Sequence, residues 1–126
     1  MMTEVVASPR TLRHLVKKFR ERNPGVEHPD TCRDRCMDYC DAWLTYLRSW
    51  IPNHEGEIVS GVKFGELPEF PGKRLIVEGH FGVLIDDLVY DWTARQFDPN
   101  AAVPKITPLA EWREEWQDLR RVDAQE

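Results

Sequence analysis

The stretch from Glu78 to Pro99, EGHFGVLIDDLVYDWTARQFDP, constrains this chain more than any other. FGVLI (81–85) is apolar with β-branched members, and LVYDW (88–92) follows after the pair Asp86-Asp87. Two such runs around a short polar pair predict a β-hairpin that opens with His80. Asp-Asp is a weaker turn pair than Asn-Gly, because one or both residues must take positive φ. With the aspartates as the turn, Ile85 faces Leu88 and His80 lies opposite Thr93. Asp91 then becomes the diagonal neighbour of His80 on the same face, about 7–8 Å away between Cα atoms. A carboxylate there can fix the tautomer and orientation of an imidazole. A slip of one residue would carry Asp91 to the other face.

A histidine oriented by an acid calls for a nucleophile, and TCRDRCMDYCDAWLTYL offers one. Cys32, Cys36 and Cys40 recur every four residues, which predicts one face of a helix. Two helix starts are open. Asp30 or Thr31 would cap a helix with Cys32 in its first turn, and Asp34 would cap one with Cys36 there. In both cases Cys36, Cys40, Trp43, Leu44 and Leu47 make the apolar stripe, and Pro52 ends the helix. A thiol in a first helical turn is acidified by the helix dipole and further by a nearby imidazolium. Read alone, a cysteine on such a stripe is a small core hydrophobe.

The pattern C-x3-[small]-x3-L-x2-L at Cys36, Cys40, Leu44 and Leu47, followed by H-x10-D at His80 and Asp91 and the run DWTARQF, resembles small bacterial and phage proteins of the papain-like superfamily. That superfamily includes NlpC/P60 cell-wall peptidases, transglutaminase-like proteins and papain-like deamidase toxins. The resemblance covers roughly half of the chain, and Asp91 to Pro99 is its most specific part. It implies a catalytic triad of Cys36, His80 and Asp91. The same pattern set on Cys32 puts Cys40 and Arg48 where leucines belong. The activity implied is a cysteine-dependent hydrolase acting on an amide bond of a peptide or protein, as peptidase, amidase or glutamine deamidase. A transglutaminase-type acyltransferase and an inactive papain-like binding protein are the alternatives. Gln96 is a candidate oxyanion donor, against a structural reading in which Arg95 and Gln96 hold a loop and Phe97 plugs the core.

The remaining segments predict a frame for that site. Ser8-Pro9 starts a first helix as N-cap and N1, with Leu12, Leu15, Val16 and Phe19 as its stripe. Its other face carries Arg13, Lys17, Lys18, Arg20 and Arg22, and Asn23-Pro24-Gly25 stops it. Gly56–Phe64 reads as a strand interrupted at Gly61, Leu67–Lys73 as a loop, and Arg74–Val77 as a short strand or lead-in. Thr107-Pro108 starts a last helix with Leu109, Trp112, Trp116 and Leu119 on one face, and Val122–Glu126 frays. His14, His28 and His54 have structural readings. The fold class expected is α+β: one papain-like domain over residues 1–126, with helices packed on an antiparallel sheet of three to five strands.

Composition narrows the function classes. The 126 residues carry a formal net charge of −5, which disfavours nucleic acid as a partner. No apolar run nears the length of a membrane span, and the first ten residues lack the pattern of a signal peptide, so a cytoplasmic location is expected. Three cysteines, an odd number, argue against a disulfide framework. Sulfurs spaced i, i+4, i+8 along one helix spread over about 12 Å, too far for a single zinc ion. No metal and no cofactor is expected.

Overall fold

The computed structural model describes residues 8–121. It is an α+β fold: a five-stranded antiparallel sheet in the order β4-β3-β2-β1-β5, with helices packed on it. The strands are β1 (Glu57–Gly65), β2 (Leu75–Ile85), β3 (Leu88–Asp91), β4 (Lys105–Pro108) and β5 (Gln117–Arg121). The helices are α1 (Pro9–Arg22), the single turn α2 (Pro29–Cys32), α3 (Cys36–Trp50) and α4 (Leu109–Glu115). Among the described residues no helix is long and apolar enough to cross a membrane.

α1 forms as its sequence dictates. The Ser8 side chain accepts a hydrogen bond from the Thr11 N–H, Pro9 occupies the first turn, and Leu12, Leu15 and Phe19 are buried. That stripe meets Cys40, Trp43, Leu44 and Leu47 of α3, and both helices close over Ile58, Val83, Ile85, Tyr90 and Trp92. Phe19, Trp43 and Trp92 interlock, with ring centroids 4.6–5.2 Å apart. The other sheet face is covered by Trp112 and Trp116 over Val59, Leu84 and Val89. The Trp112/Trp116 pair is therefore packed on the sheet rather than left exposed.

The central hairpin has the expected register: Ile85 pairs with Leu88, Leu84 with Val89 and Val83 with Tyr90. Asp86 and Asp87 both take positive φ, 53° and 47°, as a two-residue type I′ turn demands. Two details differ. β2 begins at Leu75, so His80 lies within the strand instead of opening it. The ladder with β3 ends at Val83–Tyr90, and Thr93 does not pair with His80; it leads into a 3₁₀ turn, Ala94–Gln96.

The cysteine segment is also corrected. Cys32, Cys36 and Cys40 do not share one helix. Asp34 sits in the left-handed region at φ 59°, which breaks the chain between α2 and α3. α3 starts at Cys36, and its N-cap is Arg35 rather than Asp34. Gln96 Oε1 accepts the Asp34 N–H at 3.3 Å, so a contact from 62 residues downstream helps hold the break.

The last helix is shorter than its periodicity suggests. Thr107 and Pro108 belong to β4, Pro108 is the N-cap of α4, and the helix ends at Glu115. Trp116 is extended, and Leu119 belongs to β5, which pairs with β1. Strand pairing wins because a seven-residue helix holds few internal hydrogen bonds, whereas the edge of β1 offers a ready ladder. Leu109 and Leu119 still pack on the Trp112/Trp116 cluster, delivered by different backbone geometries. The fraying expected of Val122–Glu126 lies outside the described residues.

Candidate active site

Three elements converge where β3 stops short of the full length of β2. β2 supplies His80, β3 supplies Asp91 as its last residue, and α3 supplies Cys36 as its first. His80 Nε2 and Asp91 Oδ2 are 2.7 Å apart, and both side chains are buried. Asp91 Oδ1 accepts the backbone N–H of Thr93 at 3.0 Å, so both carboxylate oxygens are engaged. That second bond is an Asx turn, and the spacing Asp91-x-Thr93 is its sequence signal.

Because Asp91 takes Nε2, Nδ1 is the ring nitrogen left for chemistry. It is buried and makes no hydrogen bond of good geometry among the described residues. Cys36 nevertheless stands close enough for its thiol group to act on the imidazole. Burial is the largest influence on His80 and by itself disfavours the charged ring. The hydrogen bond to Asp91, the contact with Cys36 and the negative charge of both outweigh it and raise the imidazole pKa to about 9.

The other two thiols are placed differently. Cys32 is fully buried, and its Sγ donates to Val26 O at 3.2 Å. Burial and then the charge of Asp91 raise its pKa. Cys40 is packed in the core, and burial pushes its thiol well up. Cys36 is partly exposed. No side chain caps the start of α3, and the first intrahelical bond is Tyr39 N to Arg35 O. Among the described residues no hydrogen bond takes up the first-turn N–H groups beside Cys36.

The surroundings of His80 were not foreseen. Phe97 meets its ring edge-on at 5.0 Å, and Trp116 lies at 4.9 Å on a tilt. Phe97 is 40% exposed, so it covers the histidine instead of plugging the core. Lys63 Nζ stands 4.4 Å from the Trp116 ring and 3.3 Å from Glu115. A polar cleft of about 350 Å³ opens here, lined by Lys63, Asp91, Phe97, Asp98, Lys105, Glu115 and Trp116. An apolar groove of similar size lies elsewhere, against Leu12, Val16, Leu88 and Ile106, and touches none of the three site residues.

Gln96 donates from Nε2 to Thr93 Oγ1 at 2.9 Å, and Arg95 donates to Ala101 O and Glu27 O. Both hold the loop, in line with their structural reading. His54 is buried and accepts the Gly56 N–H, while His14 and His28 are exposed. Neither family models, nor curated protein sequences, nor solved structures yield a match to this chain.

Proposed function

We propose that this chain is a cysteine-dependent acyl-transfer enzyme, and specifically a hydrolase of amide bonds that works through Cys36, His80 and Asp91. The observation that carries the reading is the buried His80–Asp91 pair whose free nitrogen is left for a thiol at a helix start. A cysteine on a helix start, a histidine on a strand and an acid on the next strand is the order of papain-like enzymes. That order, with the DWTARQF run, supports a papain-like core of the NlpC/P60 kind.

An imidazole pKa of about 9 means that His80 is protonated at neutral pH. The attacking form is the Cys36 thiolate, paired with this imidazolium. The Cys36 sulfur adds to the amide carbonyl carbon. The oxyanion is met by the N–H groups of the first turn of α3, helped by the positive end of the helix. His80 Nδ1 gives its proton to the departing nitrogen, and a thioester remains on Cys36. A water molecule, deprotonated by the now neutral His80, resolves the thioester and restores the ion pair. Asp91 holds the ring and balances its charge throughout.

The test is p-nitrophenyl acetate. The reading predicts a burst of nitrophenolate equal to the enzyme present and an acetyl group on Cys36, both lost in Cys36→Ser. Acetylation of Cys32 or Cys40 instead, or no burst, would contradict it.

A further inference from the structure

β2 has a bare edge next to the site. β3 pairs with β2 at Val83–Ile85, so Leu75–Gly79 pair with β1 on one side and, among the described residues, with no strand on the other. Ile85 and Leu88 flank a two-residue turn and so form a hydrogen-bonded pair. By alternation, Gly79 turns its N–H and C=O away from β1. No loop or helix of the described chain takes up those groups. Val77 is the extra residue of a bulge, since Glu78 pairs with Lys63 and Ile76 with Phe64. Ile76 is 61% exposed and Val77 43%. The next residue after Gly79 is His80.

We propose that the Leu75–Gly79 edge docks the substrate as an added strand, and that the substrate is therefore a polypeptide in extended form. This deepens the acyl-transfer reading and rests on it. Main-chain hydrogen bonds to the edge supply affinity without regard to sequence, while Ile76 and Val77 reward apolar side chains at alternate positions. Because the edge runs into His80, a chain paired there passes the dyad as it continues. A second copy of this chain fits the edge less well. An isologous antiparallel pairing centred on Val77 would set Glu78 opposite Ile76 of the other copy and leave the two Glu78 side chains as diagonal like-charge neighbours on one face.

The probes are peptidyl vinyl sulfones carrying one, two or four residues of alternating valine and threonine. In each, the Cys36 sulfur bonds to the vinyl carbon β to the sulfone, next to the peptidyl residue, and His80 delivers the proton to the carbon beside the sulfone, so nothing leaves. Strand pairing predicts that labelling of Cys36 speeds up by about tenfold or more from one residue to four, and that backbone N-methylation removes most of the gain. Equal rates across lengths, or no loss on methylation, would overturn the docking edge. Iodoacetamide separates the two levels. If it singles out Cys36 while probe length makes no difference, the edge alone is refuted. If it does not single out Cys36, the acyl-transfer reading fails and takes the substrate with it. A dimer in sedimentation, with the longest probe no faster than the shortest, would assign the edge to a second copy.

Discussion

His80 and Asp91 stand 2.7 Å apart across the end of the central hairpin, buried on the face covered by Trp112 and Trp116. They lie eleven positions apart in the chain. Their meeting depends on the Asp86–Asp87 turn keeping its two-residue register.

The same surroundings sort the thiols. Cys36 is partly exposed beside an imidazolium, whereas Cys32 and Cys40 are buried with raised thiol pKa values. Iodoacetamide at pH 6 should label Cys36 first. Peptide mapping after brief exposure checks this, and preferential labelling of Cys32 would contradict Cys36 as the nucleophile.

Asp87 is exposed at φ 47°, a conformation that asparagine accepts at least as well as aspartate. Asp87→Asn should keep stability within about 0.5 kcal/mol and leave thiol reactivity unchanged. A large loss of reactivity with an unchanged melting curve would show that Asp87 takes part in the site.

Gly61 is a glycine for a reason that its strand does not reveal. A Cβ there would come within 2.6 Å of the Trp116 Cβ, close to backbone that cannot swing aside. Gly61→Ala should cost about 1–3 kcal/mol and loosen the aromatic cover of His80. Denaturant unfolding measures the cost; a variant as stable as the parent would refute the close approach.

Much of this site was legible because hairpin geometry is local. A period of two and a two-residue turn put His80 and Asp91 on one face, and the stripe Cys40, Trp43, Leu44 and Leu47 gave the buried side of α3. What was not legible is non-local. The α2–α3 break at Asp34 is held by Gln96 from the far side of the hairpin. The return of β5 along β1 overrides the helical spacing of Leu109, Trp112, Trp116 and Leu119, because both arrangements bury the same residues. Phe97 reaches His80 only once that loop is folded.

Stability should follow the histidine. Its pKa is about 9 in the folded chain against an ordinary value near 6.5, so the folded state holds the extra proton between those values. The stabilisation is complete below about pH 6.5 and is lost as pH rises through 9. The buried thiols of Cys32 and Cys40 act in the same direction only above about pH 8.5, where unfolded cysteines ionise. In the proposed ion pair the Cys36 thiol gives up the proton that His80 gains. The fall in denaturation midpoint between about pH 6.5 and 8.5 should therefore be read in Cys36→Ser, where the Asp91 bond still favours the charged ring, and should flatten in Cys36→Ser/His80→Gln. Parallel curves would remove the shifted histidine from the account.

The most direct measurement is the pH dependence of Cys36 alkylation in the parent and in Asp91→Asn. Asparagine can still accept the Thr93 N–H through its amide oxygen, so the fold should persist. Its NH₂ group cannot accept a proton from Nε2, so the ring loses its preferred tautomer and the imidazolium loses its counter-charge. The curve should move to higher pH, with alkylation at pH 6 slowed by roughly 10–10³-fold. Superimposed curves would mean that Asp91 is not coupled to the thiol, and that its bond to His80 serves the fold alone.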